Sequence, residues 1–146
     1  MLWRLDHGGV AGLEPRLVVV LIGNNNMFFT QETGVESAAK GIEMCVANVR
    51  DKFPKADVIA VKILPVHAPG NRFYEDIQKT NAALDAMKLD RDPKVHVLDL
   101  MSDFLNADDT LKRDFFAPDN IPLSQDGGYG LFAEKLKSLV GMLLKM

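Results

Sequence analysis

The chain has 146 residues, 47% of them hydrophobic and 25% charged, with a formal net charge of −3. These values fit one folded domain and exclude a disordered polypeptide. The acidic balance, without clustered Lys and Arg, argues against nucleic acid, the single Cys45 rules out an internal disulfide, and no apolar run approaches the roughly 18–20 residues of a membrane span.

The opening stretch "MLWRLDHGGVAG" has no apolar core of the kind a secretory signal needs, so a soluble chain is expected and its compartment is left open. Leu17–Ile22 is a β-branched run of strand length, apolar on both faces, which predicts a buried parallel strand. It ends in Gly23 and three asparagines, Asn24, Asn25 and Asn26, a composition suited to a turn, a helix start or a site. From Thr33 to Phe53, the positions Val35, Ala39, Ile42, Val46, Val49 and Phe53 recur at helical spacing, and Pro54 stops the helix. Asp57–Leu64 is a second strand and Pro65–Arg72 a loop. Phe73 to about Met87 forms a second helix, with Phe73, Ile77, Leu84 and Met87 on one side, and Lys94–Leu100 forms a third strand. Ala107–Asp114 suggests a short helix and Pro118–Leu123 a loop. Ser124 is placed to cap a last helix whose apolar stripe runs through Tyr129, Phe132, Leu136, Leu139 or Val140, and Leu143.

This order predicts a single domain over residues 1–146, a three-layer α/β/α arrangement around an open parallel sheet. Ligands in such sheets bind beyond the carboxyl ends of the strands. That edge collects Gly23–Asn26, the Pro65–Arg72 loop with His67, and the loop before the last helix. An asparagine amide there is an uncharged donor able to stabilise the oxyanion of an acyl-transfer intermediate, and Gly23 permits a sharp turn and close approach. The same asparagines would equally serve to satisfy turn and helix-start backbone groups. His7 lies in a Gly-rich turn, His96 alternates with valines on a strand, and Cys45 sits on the apolar side of the first long helix as a structural thiol. The histidines lack metal-ligand spacing, so neither metal nor cofactor is expected.

Four stretches together resemble the SGNH (GDSL-type) hydrolases, in the branch similar to platelet-activating-factor acetylhydrolase subunits. They are "LWRLDHGGVAGLEPRLVVVLIGNNN", "GIEMCVANVRDKFPKADVIAVKILPV", "NRFYEDIQKTNAAL" and "PDNIPLSQDGGYGLFAEKL". The resemblance implies a flavodoxin-like fold and esterase or acetylhydrolase chemistry on a small ester. It matches Asn25 to an oxyanion-hole donor, with Asn24 and Asn26 beside it at variable positions, and Asp119 to the aspartate that orients the catalytic histidine. That histidine would stand at Pro122, and proline cannot accept a proton. The serine of the family's G-D-S block has no counterpart among Ser37, Ser102, Ser124 and Ser138. The expectation is therefore the C-terminal two-thirds of the fold, lacking its N-terminal strand or strands, with hydrolysis absent or strongly impaired. The alternative is a non-catalytic module on the same fold, binding a small molecule or sugar or serving as an interaction module.

Without a neighbouring strand, Leu17–Ile22 would be a long apolar edge free of lysine and proline, which folded proteins avoid. A homodimer or larger assembly covering it is expected. The other available cover is Met1–Val10 folding back.

Overall fold

Three parallel strands form the sheet in their order along the chain. The computed structural model describes residues 1–29, 34–67, 69–117 and 123–145, with backbone only at 27–29. Its main elements are α1 (Leu2–Asp6), β1 (Leu17–Val20), α2 (Asn24–Phe29), α3 (Gly34–Lys52), β2 (Asp57–Val61), α4 (Arg72–Met87), β3 (Val95–Leu98) and α5 (Gly128–Leu144). Leu17 lies opposite Asp57 and Val20 opposite Ala60, while Val58 pairs with Val95 and Val61 with Leu98.

The two faces of the sheet carry separate apolar cores. Val20, Val58, Ala60 and Val95 pack under Ala39, Ile42 and Val49 of α3 and Ile77 and Leu84 of α4. Ile59 and Val61 point the other way, towards Leu100, Phe104 and α5. The alternation follows from the two-residue period of a strand, and each fully buried Val or Ile contributes about 1.5–3 kcal/mol. Prolines and caps fix the connections. The Arg50 guanidinium, near the end of α3, donates to the carbonyls of Phe53, Pro54 and Ala56 and pairs with Asp92 at 2.8 Å, closing the turn into β2. Asn71 caps α4 by accepting from the Phe73 N–H.

The fold is thus the expected α/β sheet flanked by helices. The strands stop earlier than the apolar runs suggest: Ile22, Ile63, Leu64 and Val66 lie beyond the strand ends while still contributing to the cores. Several local expectations are corrected. No helix spans Ala107–Asp114: Asp108 accepts from the backbone and hydroxyl of Thr110, Asp109 has φ +62°, and Leu105 bridges antiparallel to Leu111. Short polar side chains there bond their own backbone in a turn instead of continuing a helix. Ser124 does not directly precede α5. A turn at 125–127 intervenes, although its Oγ accepts from the Gly128 N–H at 3.0 Å and donates to the Asp114 carbonyl at 2.7 Å. Tyr129 is 54% exposed and no part of the apolar stripe. Met1–Val10 does not cover the sheet edge. It begins with α1, which places Leu5 in the α3-side core, and Val19 and Leu21 each remain 39% exposed.

Candidate functional site

Beyond the carboxyl end of β1, Gly23 adopts φ +119°, a conformation L side chains rarely take. A Cβ there would also lie 2.8 Å from the Ile63 side chain and 3.2 Å from that of Ile42. The turn is what requires glycine, and the side chains of Ile63 and Ile42 fill the space beneath it. The chain then enters α2 at Asn24, and the Asn26 N–H donates to the Gly23 carbonyl at 3.0 Å. The asparagines therefore do open a helix. Asn25 and Asn26 are exposed and Asn24 is half-buried.

These residues rim a cavity of about 620 Å³. Its floor is apolar, with Ala38, Gly41, Ile42 and Cys45 of α3 on one side and Leu21 and Ile22 on the other. Leu2 and Trp3 of α1 close one end, and Leu64, Leu123 and Tyr129 complete the wall. Volume and lining are those of a small-molecule site, with apolar walls and a few polar groups at the mouth. Cys45 is buried, and burial pushes its thiol up, so it is an inert part of the floor.

Gly23, Asn24, Asn25 and Asn26 are thus brought together. Asp119 and Pro122 lie outside the described residues, as does the rest of 118–122. Leu123, which follows that segment, faces the cavity that Asn25 rims. His67 is half-buried, stacks on Phe73 with ring centroids 5.5 Å apart, and does not line the cavity. The other histidines are engaged elsewhere. His7 stacks on Trp3, and the His96 Nε2 lies 2.9 Å from Asp57. Burial raises the Asp57 carboxyl, but hydrogen bonds from His96 and Lys94 outweigh that and hold it below its usual range. Among the described residues no group of three or more His, Cys, Asp or Glu side chains could hold a metal ion, and no helix is long and apolar enough to cross a membrane.

Asn81 went unremarked in the sequence. It is buried on α4, its Oδ1 accepting from the Ile63 N–H at 3.0 Å and its Nδ2 donating to the Ile63 carbonyl at 2.9 Å. This clamp fixes the segment after β2, where Ile63 supports Gly23 and Leu64 lines the cavity. The available signal was its spacing: Asn81 falls four residues after Ile77 and three before Leu84, on the inner face of the helix.

Residues 1–128 match the GDSL-like lipase/acylhydrolase family. The chain belongs to that family. Chicken (Gallus gallus) platelet-activating factor acetylhydrolase IB subunit alpha2 is 32% identical over 146 residues, covering 99% of this chain and 60% of that protein. The alpha1 subunit of Pongo abelii is 31% identical over 147 residues, covering 100% of this chain and 59% of that protein. This GDSL-family chain therefore spans about 60% of the length of these relatives. A solved Streptococcus pneumonia structure, provisionally described as a platelet activating factor, superposes with a TM-score of 0.69 at 16% identity, covering 94% of this chain and 89% of that one. At that identity the likeness is one of fold, and it places this family's α/β architecture on the chain.

Proposed function

We propose that this protein is a GDSL-type acyl-ester domain. Its cavity receives a small ester, and its hydrolytic step is strongly impaired in this polypeptide. The observation carrying the reading is the apolar cavity at the carboxyl end of β1, with the asparagine amides at its mouth. Among the described residues no side-chain hydrogen bond engages Asn25, so its amide is available to a developing oxyanion. Family membership supports acyl-ester chemistry, and the names of the curated relatives point to an acetyl ester. Against turnover stands Pro122, three residues after Asp119, where the proton acceptor is due; the sequence also contains no G-D-S block. Loss of a triad member leaves only about 10³–10⁴-fold acceleration over water. A second reading, a non-catalytic module binding a small molecule or sugar, uses the same cavity and is favoured by Pro122 alone.

The test is p-nitrophenyl acetate hydrolysis alongside binding of a slowly cleaved acetate ester. The expected result is no enzyme-like turnover, with binding that weakens about tenfold in Asn25→Ala. Binding should vanish in Gly41→Phe, since a side chain added at Gly41 meets nothing within 4 Å and fills the cavity. Burst kinetics or rapid turnover by the unaltered chain overturns the impaired reading. Ester binding indifferent to Gly41→Phe overturns the site.

We further propose that the chain self-associates through the free side of β1. β1 pairs only with β2 among the described residues, and Val19, Leu21 and Tyr129 are exposed beside it. An uncovered apolar edge of this kind is a template for pairing. Sedimentation should give a dimer or larger species that the double change Val19→Lys/Leu21→Lys reduces to monomer. A monomer at all concentrations would refute it.

A further inference from the structure

A second cavity, of about 700 Å³, opens at the opposite end of the sheet, where the amino ends of the strands meet the last turn of α5. Its floor is apolar, formed by Leu13, Phe53, Pro54, Leu143 and Leu144. Among the described residues its rim carries Arg16, Lys52, Lys55, Lys94 and Lys145 against Glu14 and Asp57. This concentration of positive charge stands in a chain with 20 acidic and 17 basic residues.

The commitments of these charges decide what remains. Lys94 pairs with Asp57 at 2.9 Å, and Asp57 also holds His96, so that carboxylate is saturated. Lys52 pairs with Asp6 at 3.1 Å. Arg16 donates to the Leu144 carbonyl at 3.2 Å, a neutral acceptor. Among the described residues no carboxylate pairs with Arg16, Lys55 or Lys145, and Glu14 is the one acid at the rim without a cation. Cations near helix ends ordinarily answer the carbonyls there. At α3, however, Arg50 already satisfies the carbonyls of Phe53, Pro54 and Ala56, which leaves Lys55 without that duty. Leu13, in the floor, is 58% exposed.

We propose that this cavity binds an amphiphilic anion, with a short alkyl chain against Leu13, Phe53 and Leu143. Its carboxylate or phosphate-monoester head lies among Arg16, Lys55 and Lys145. Free volume and lining fit a ligand of that size, and the head exchanges water for unpaired cations whose attraction is not already spent. The site is independent of the ester cavity.

Calorimetric titration of the whole chain, at about 50 mM salt so that screening stays modest, tests it. The ligands are octanoate, octyl phosphate, octanol and octyltrimethylammonium, all below micellar concentration. The two anions should bind at least about tenfold more tightly than the alcohol, and the cation should not bind. The ratio of octanoate to octyl phosphate identifies the preferred head. The double change Lys55→Glu/Lys145→Glu should weaken the anions at least about tenfold, while the melting temperature falls by only a few degrees: both side chains are exposed, and an acidic group at the α5 C-cap costs about 0.3–1 kcal/mol. Lys55→Gln/Lys145→Gln repeats the comparison without charge reversal, and Gly41→Phe, in the other cavity, should leave affinity unchanged. The proposal falls if no amphiphile binds, if the cation or the alcohol binds as well as the anions, if the lysine variants retain affinity, or if Gly41→Phe abolishes it.

Discussion

Gly128→Ala is expected to destabilise the protein by about 3 kcal/mol or more, at or above the top of the range for overpacking a core. A Cβ at Gly128 would lie 2.0 Å from the Phe115 carbonyl oxygen and 2.9 Å from Leu123 Cβ. The first obstacle is backbone, so no rotamer change relieves it. The start of α5 must move away from the Arg113–Phe115 turn, and Ser124, which bonds both Asp114 and Gly128, is pulled with it. Against a total stability of about 5–15 kcal/mol for a domain of this kind, the loss should lower the melting temperature by roughly 10 °C. Gly130→Ala and Gly141→Ala are the controls. Both sit in the same helix with nothing within 4 Å of the added Cβ, so each should be neutral or stabilising by up to about 1 kcal/mol. Equal melting temperatures for all three variants would show that the α5 start does not press on residue 115 as described.

Asn81→Leu should cost about 2–5 kcal/mol. The shape is nearly kept, but both the N–H and the carbonyl of Ile63 lose their partner in a buried place, and each orphaned group costs about 1–3 kcal/mol. Asn81→Asp separates polarity from geometry. It keeps the acceptor for the Ile63 N–H but turns a carboxylate lone pair towards the Ile63 carbonyl. The carboxyl is then ionised at a cost in the folded state, so its folded pKa lies above its unfolded value of about 3.9. Protonation favours the folded state, and this variant should regain stability as pH falls from 7 towards 5. Denaturant titrations at the two pH values read this directly. A leucine variant within about 0.5 kcal/mol of the parent, the usual scatter of surface substitutions, would remove the clamp from the account.

Strong periodicities carried most of the architecture. The β-branched runs at Leu17 and Asp57 and the three- and four-residue spacing of Ala39, Ile42, Val46 and Val49 depend on the neighbours' water-excluding faces, and those faces exist in the structure. Legibility failed where polar side chains bond locally. Asn106, Asp108 and Thr110 fold on one another into a turn where Ala107–Asp114 suggests a short helix. α1 was missed because five residues are too few to show a period. At the site, the position of Gly23–Asn26 at a strand end was readable from topology alone. The cavity floor was not, since Gly41 and Cys45 become walls only when α1 and α3 meet β1. Nor could pattern distinguish a stripe residue from a rim residue at Tyr129, which is exposed and lines the cavity.

The unequal anchoring of the two layers has a dynamic consequence. On one side, α3 and α4 each sink several side chains to full burial, whereas along α5 only Gly128 is buried and its apolar residues stay half-covered. Amide protons of α5 should therefore exchange through partial openings that leave the sheet and the opposite helices intact. The polypeptide would then breathe as a firm βα slab with a detachable strap, and the strap begins five residues after Leu123, so each opening loosens one wall of the cavity beyond β1.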